Sequence, residues 1–558
     1  MVRSGQEREH KNRLTTAWQL INLQLLQMSA PTNLTKSPNI VFIMADQLSV
    51  SAMPSYGHPL VKTPNLTALA QRSVVFDSAY CNFPICAPSR FSMLSGRLPH
   101  SIEAYDNASE FPAAIPTMAH YLRHAGYHTI LCGKMHFIGP DQLHGFEERL
   151  TTDIYPSDFA WTPDWRRGPS HRPTGVSMRP VVEAGPCIRS MQIDYDDEVE
   201  YHAVQRIYDL ARAPEQQPFF LTISYTHPHP PFVAPQRHWD LYRHEEIDMP
   251  RVAEIPYDKL DEHSRWLYVA HAQDQYAISQ EHVRQARHAY YAMVSYVDEK
   301  IGSVLNTLRE TGLDQNTLIV FSGDHGEMLG ERGMWFKQCF FENSVRVPLM
   351  FSMPGRLTPS RIGAHVSLVD LLPTFLDLAS QGNARSTQPV DHLDGSSLFP
   401  LIDGKEDGAS REVISEYSSE GVCAASRMVR SGRYKYIYTY GLPAMLFDLE
   451  ADPLELDNLS GQNDMAEIEQ RMHERLISDW DPALIHERIL SSQKRRLFLA
   501  EVGSLSGMYP NWAYQPFTDQ SKRFIRGSGS AGPTSVKARA RFPYVEPVPP
   551  DQNQDKSS

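Results

Sequence analysis

Apolar residues fall along this chain in short unbroken runs, each closed by a few polar ones. The first is NIVFIMADQ, Asn39–Gln47. A continuous apolar run of this length predicts a strand buried on both faces, whose polar end delivers Asp46 and Gln47 to the carboxyl edge of a sheet. TLIVFSGDHGE, Thr317–Glu327, repeats the pattern and delivers Asp324 and His325. YHTILCGKMH predicts a strand ending at Gly133 and Lys134, and PFFLTISYTHPHPP another with His227 and His229 just beyond its end. Between these runs the spacing changes to that of helices. TPNLTALAQRS opens with Thr63 as N-cap and Pro64 at the first helical position. IPTMAHYLRHAG reads as a helix stopped by Gly126, and a long helix covers roughly Val283–Glu310.

Strands alternating with helices imply an α/β fold: a large, mostly parallel sheet flanked by helices on both faces. Ligands of such sheets sit beyond the carboxyl ends of the strands. Asp46, Gln47, Lys134, His229, Asp324 and His325 all fall at predicted strand ends, so they are expected on one rim although they span most of the chain. Near residue 380 the texture changes. SQGNARSTQPVDHLDGSS reads as a linker, β-rich runs such as RYKYIYTY follow between Val413 and Tyr440, and a helix is expected around Ala466–Asp479. The expected organisation is an N-terminal extension over 1–37, a catalytic domain over 38–385, a smaller α+β subdomain over 386–526 and a tail or oligomerisation arm over 527–558. No internal repeat is evident.

Composition narrows the class. The 558-residue chain carries 53 basic and 66 acidic residues, a net charge of −13, with no basic stripe, which argues against nucleic-acid binding. Its six cysteines are scattered and form no C-x-x-C pair, so neither a disulfide framework nor a zinc knuckle is suggested, and a reducing, cytoplasmic setting is expected. No apolar run is long enough to span a membrane. Ala17–Ala30 loosely imitates a secretory signal, but Gln19, Asn22, Gln24 and Gln27 interrupt it, and the stretch reads as an extension.

One short string stands apart: CAPSRFSMLSGRLPH, Cys86–His100. A free cysteine is most often a small core hydrophobe. Here Pro88 and Ser89 suit a helix start, which places Cys86 where unpaired N–H groups and the helix dipole favour an anion, and Arg90 adds a cation one turn on. That combination is an anion pocket with a nucleophile at its mouth.

C-A-P-S-R continuing into S-M-L-S-G-R resembles the signature of the formylglycine-dependent type I sulfatases of the alkaline phosphatase superfamily. The resemblance implies that a formylglycine-generating enzyme oxidises Cys86 to 3-oxoalanine, that the hydrated aldehyde attacks sulfur to form a covalent sulfo-enzyme, and that Arg90 holds the diol. It implies a divalent metal on Asp46, Gln47, Asp324 and His325, with the modified Cys86 as fifth ligand. That oxygen-rich set suits Ca²⁺ first, with Mg²⁺ an alternative, and the imidazole leaves Mn²⁺ open. Lys134, His136, His229 and Lys337 match the family's sulfate-binding set. Lys134 and His136 count as two cations there, His229 or Lys337 is the general acid, and His227 is expected only to orient its loop.

GKMHFIGPDQLHGFEERLTTDIYPSDFAWTPDW, Gly133–Trp165, and DWDPALIHERILSSQKRR with ARARFP near the C-terminus are similar to the branch of that family that acts on choline sulfate. The implied reaction is hydrolysis to choline and inorganic sulfate, with a place in sulfur supply or osmoprotection and a homodimer or homotetramer as the assembly. A quaternary ammonium donates no hydrogen bond, so aromatic faces and a carboxylate hold it best. Trp161 and Trp165, with Asp158 and Asp164 beside them, are candidates. The resemblance favours Trp161 and Asn107 as pocket residues and one of Glu416 and Glu420 as counter-charge. The segment before ARARFP lacks the acidic residues the pattern leads one to expect. Two other readings stay open: an aryl or alkyl sulfatase or a phosphonate or phosphate ester hydrolase on the same scaffold, and a metal- and anion-binding relative without turnover.

Overall fold

A computed structural model describes residues 37–212, 217–381, 385–508 and 512–514. The N-terminal extension up to residue 36, and the tail with ARARFP, lie outside the described residues.

The strands are β1 (Asn39–Ala45), β2 (Val74–Tyr80), β3 (His128–Gly133), β4 (Glu148–Arg149), β5 (Gly185–Cys187), β6 (Phe219–Tyr225), β7 (Val233–Pro235), β8 (Thr317–Gly323), β9 (Leu349–Ser352), β10 (Ser360–Ser367), β11 (Glu412–Tyr417), β12 (Ser426–Ser431), β13 (Tyr434–Thr439) and β14 (Met445–Asp448). The main helices are α1 (Cys86–Ser95), α2 (Met191–Arg212), α3 (Gln280–Glu310), α4 (Leu371–Gln381), α5 (Ala466–Ile477) and α6 (Pro482–Ser506).

Eight strands form one sheet in the order β10-β2-β9-β8-β1-β6-β3-β4. β1 lies parallel to β6 and β8, whereas β9 runs antiparallel to β2 and β8. The expected α/β architecture with a mostly parallel sheet is therefore what forms. The apolar run of β1 divides between the two faces, as a period of two requires. Ile40, Phe42 and Met44 enter one core, Val41, Ile43 and Ala45 the other. Helix α3 lies in the second core, and its N-cap Ser279 forms a reciprocal capping box with His282.

Register then fixes the site. Ala45 pairs with Gly323 on one side and with Tyr225 on the other. The next residue of each strand, Asp46, Asp324 and Thr226, therefore emerges at the same level of the sheet. Gly133 pairs with Ser224, so Lys134 follows onto the same rim. Gly133 has φ +101, and a side chain there would collide with the Ser224 carbonyl, so this turn requires glycine.

β11 to β14 form a four-stranded antiparallel sheet. Its Met428 and Val429, with Leu476 of α5 and Ile485 and Ile489 of α6, belong to the same hydrophobic cluster as Phe42. Helices α2 and α6 carry no separate expectation from the sequence, yet each brings a buried polar residue to the loops around the rim, Asp196 from α2 and Arg496 from α6. The cysteines are all free thiols. Among the described residues no helix is long and apolar enough to cross a membrane.

Candidate active site

Cys86 is the first residue of α1, as the Pro-Ser context predicts, and Ile85 before it is extended with no capping hydrogen bond of its own. The cap comes from elsewhere: Asn107 Oδ1 accepts the Ala87 N–H at 3.0 Å. Every residue of α1 is buried, so the helix start is a fixed wall.

Asp46, Cys86, Asp324 and His325 present ligand atoms that all lie within 4.8 Å of one another. The Cys86 Sγ is 3.3 Å from His325 Nε2 and 3.7 Å from Asp46 Oδ1. The Gln47 N–H donates to Asp324 Oδ1 at 3.0 Å, and the Gln47 side chain bridges Glu327 and the Lys337 ammonium. Gln47 and His136 both have φ +62, a left-handed backbone uncommon outside glycine and held here by surrounding contacts.

Two buried carboxylates so close together require compensation. Arg90 donates from Nε to Asp324 Oδ2 at 2.8 Å and lies 4.0 Å from Asp46 Oδ2, while the Lys134 ammonium bonds Asp46. Burial would raise Asp324, but Arg90, then His325 and Lys134, outweigh it and hold the carboxyl well below its ordinary range. Burial pushes the Cys86 thiol up to about 11 against the pull of Lys337. Burial also lowers His325 to about 3, so its imidazole is neutral and able to ligate a cation.

The Lys134 Nζ lies 3.4 Å from the Cys86 Sγ, and His229 and Lys337 line one pocket with Cys86. The Lys134 Nζ lies 4.1 Å from the centre of the Tyr155 ring, and the Tyr155 hydroxyl meets His229 Nε2 at 3.1 Å. His229 donates from Nδ1 to the Pro230 carbonyl at 2.7 Å. The sequence leads one to count His136 as a cation, and here the structure differs: burial, then Lys134 next to it, hold the imidazole well below its usual range. Neither ring nitrogen has a hydrogen-bond partner among the described residues, and the buried imidazole packs against Tyr155 and Trp161.

A pocket rises from this floor, lined by Cys86, Asn107, Trp161, His229, Lys337 and Glu420. Glu420 accepts from the Thr174 hydroxyl at 2.6 Å and forms no ion pair among the described residues, and burial raises its carboxyl to about 7. The structure does not bring the other candidates here. Glu416 pairs with His100 at 2.6 Å and Arg427 at 3.3 Å, which commits it to holding α1's outgoing turn against β12. Trp165 donates from Nε1 to the Ser419 carbonyl and packs on His486, a bridge between segments. Asp158 and Asp164 cap the short turns that come after them. His227 bonds buried Asp196 at 2.7 Å and braces its loop.

Sequence reasoning passed over Tyr155, Thr174 and Glu327. Glu327 accepts from Gln47 and from the Leu329 and Phe336 N–H groups, so it fixes both a strand end and the approach to Lys337. Its place directly after Asp-His-Gly was a usable cue, whereas Tyr155 and Thr174 sit in irregular segments whose pattern carries none.

The Sulfatase family model matches residues 38–381, and a model described as N-sulphoglucosamine sulphohydrolase, C-terminal matches 330–480. A choline-sulfatase of Rhizobium meliloti (strain 1021) is 43% identical over 501 residues, 88% of this chain and 96% of that protein. Human iduronate 2-sulfatase is 31% identical over 392 residues, 66% of this chain and 69% of its own. Among solved structures, a phosphonate monoester hydrolase from Silicibacter pomeroyi superposes with a TM-score of 0.63 at 23% identity over 78% of this chain and 94% of its own, a likeness of fold. The match over most of the chain, with the strand-end carboxylates and Cys86 gathered on one rim, makes this protein a member of the sulfatase family, a hydrolase of sulfuric esters.

Proposed function

We propose that the chain hydrolyses choline sulfate to choline and inorganic sulfate, with Cys86 oxidised to formylglycine by a separate maturation enzyme. The observation that carries this reading is the mixed lining of one pocket, basic groups and Cys86 together with an aromatic ring and a buried carboxyl. Cys86, His229 and Lys337 line it together with Asn107, Trp161 and Glu420, whose carboxyl is held by the Thr174 hydroxyl and makes no ion pair among the described residues. A sulfate monoester bearing a quaternary ammonium has groups to match both kinds of lining. The identity to the Rhizobium meliloti choline-sulfatase supports the same substrate.

Asp46, Gln47, Asp324 and His325 with the modified Cys86 would hold the divalent metal, Ca²⁺ before Mg²⁺ or Mn²⁺. The buried carboxylate pair, compensated here by Arg90 and Lys134, fits a hard cation. Bound together, the metal and the hydrated aldehyde supply an oxygen nucleophile at neutral pH. Arg90 orients the residue at position 86 from below. Lys134, His136 and Lys337 receive the sulfuryl oxygens, Lys134 and Lys337 as cations and His136 through a ring N–H. His229 has its Nδ1 fixed on the Pro230 carbonyl, so its Nε2, beside Tyr155, is the group turned to the leaving oxygen. It is the first candidate for general acid and Lys337 the second. Trp161, Asn107 and Glu420 seat the choline portion.

We place the protein in the cytoplasm, which the free thiols support, and read it as a homodimer or homotetramer, which the exposed Phe498 and Leu505 of α6 support. The test is product analysis. Protein whose Cys86 peptide carries the aldehyde should release choline and sulfate in equal amounts from choline sulfate, and Cys86→Ala should release neither. Sulfate release unaffected by Cys86→Ala would reject the assignment.

A further inference from the structure

The DWDPALIHERILSSQKRR stretch, Asp479–Arg496, begins just after α5 and forms the first part of α6, away from the reacting groups. It is nonetheless tied to the pocket. Ile485, Ile489, Gln493 and Arg496 are the buried positions along this part of α6, and their spacing puts them on one face. The two isoleucines seat the helix in the core. The two polar residues then make specific bonds: Gln493 Oε1 accepts the Trp165 N–H at 3.1 Å, and Arg496 reaches the Asp106 carboxylate with both prongs, at 2.6 and 2.7 Å.

Arg496 joins segments that the chain keeps far apart. Its Nη1 also donates to Thr162 Oγ1 at 3.3 Å, and its Nε to Ser492 Oγ at 3.2 Å, so the whole fork is engaged. Thr162 comes directly after Trp161 and closes that residue's turn by bonding the Phe159 carbonyl at 2.7 Å. Asp106 directly precedes Asn107 and is fully buried, its Oδ1 also accepting the Ala108 N–H at 2.9 Å. Asn107 in turn caps the helix that begins at Cys86. One guanidinium therefore fixes the backbone on either side of the pocket, next to Trp161 and next to Asn107. A planar, two-pronged donor is suited to this, and a lysine could not replace it.

We propose that Arg496 is a positioning residue that sets the distance between the Trp161 and Asn107 walls and thereby the enzyme's selectivity for the ammonium end of its substrate. This rests on the proposed ammonium pocket. The metal-ligating carboxylates and Lys134 stand on the ends of β1, β8 and β3, and Arg496 reaches the Cys86 end only indirectly, through Asp106 and the Asn107 cap, so loss of the brace should weigh more on the ammonium end than on the sulfuryl end.

The experiment measures choline as a competitive inhibitor of 4-nitrophenyl sulfate turnover by the oxidised, metal-replete full chain. In Arg496→Lys the inhibition constant should rise about tenfold or more, a loss of about 1.4 kcal/mol of binding. The kcat/KM for the aryl ester should stay within about threefold. Asp106→Asn should likewise raise the inhibition constant while the aryl kcat/KM stays within about threefold, and the double variant should add little to the larger single effect, because the two residues act through one contact. If Arg496→Lys fails to fold, Asp106→Asn decides by the same criteria. An unchanged inhibition constant in a folded variant, or an equal loss in both quantities, would overturn the proposal. If choline already fails to inhibit the unsubstituted protein, the ammonium pocket itself is wrong and the brace falls with it.

Discussion

Arg90 donates from Nε to Asp324 Oδ2 at 2.8 Å, with both side chains closed off from solvent. The same guanidinium donates to the Lys134 carbonyl at 2.7 Å and to Ser224 Oγ at 2.9 Å, so it links α1 to the ends of β8, β3 and β6. Arg90→Met would leave the Asp324 charge buried and under-compensated, a loss of about 3–5 kcal/mol in metal-free protein. The urea midpoint should fall accordingly, and added Ca²⁺ should recover part of it by taking over the neutralisation. A midpoint that does not move would show that Arg90 contributes nothing to holding the acidic pair.

Glu420 gives the pocket a pH dependence. Burial raises its carboxyl from 4.5 to about 7, so it is neutral below that value and charged above it. KM for choline sulfate should fall as pH rises through about 7, and Glu420→Gln should flatten the profile. Stability moves the opposite way. The folded state binds the extra proton between the two values, so stability declines as pH rises from 4.5 towards 7 and levels off above, by about 3 kcal/mol in all. Urea unfolding of Glu420→Gln at about pH 8 should show it more stable than the parent by that order. Equal stability at both ends of the range would contradict the buried carboxylate.

The two tryptophans of FAWTPDW should part company. Trp161→Leu should raise KM for choline sulfate about 2- to 30-fold, the range of about 0.5–2 kcal/mol for a cation on an aromatic face, and should also lower the melting temperature, because the ring is buried against Tyr155 and His136. Trp165→Ala should leave KM alone and cost about 3–5 kcal/mol of stability, because its ring is core and its Nε1 holds the Ser419 carbonyl. Steady-state kinetics and thermal unfolding on both variants check the pair.

This contrast shows where sequence reasoning reached and where it stopped. The apolar runs of β1 and β8 placed Asp46 and Asp324 at strand ends, because a buried parallel strand has one residue-level outcome and register does the rest. Cys86 was legible because a helix start has local chemistry. Which of Glu416 and Glu420 faces the pocket was not legible, because His100 and Arg427 claim the former only after the chain has folded. Arg496 meets Asp106 across 390 residues, a pairing that no local pattern announces. Tyr155 lies in an irregular loop, where neither period helps. The charge of His136 depended on burial, which one residue type beside one lysine does not reveal.

Chelation should act on both stability and turnover. Asp46 and Asp324 are fully buried, so a cation on them is bound by the folded state alone and stabilises it by mass action. Dialysis against a chelator should lower the melting temperature and reduce turnover by at least about 100-fold. Re-addition of Ca²⁺ should restore both, and Asp324→Asn should blunt the restoration. Full activity after exhaustive chelation, verified by elemental analysis, would remove the metal from the account.

The most direct test of the central claim compares kcat/KM for choline sulfate, an aryl sulfate and a phosphonate monoester on one preparation, metal-replete and with Cys86 oxidation verified by peptide mass. The proposed choline pocket predicts that choline sulfate leads, and that its lead shrinks in Glu420→Gln while the aryl ester is unaffected. A lead for the aryl or the phosphonate ester would leave the sulfatase scaffold standing and contradict the choline pocket.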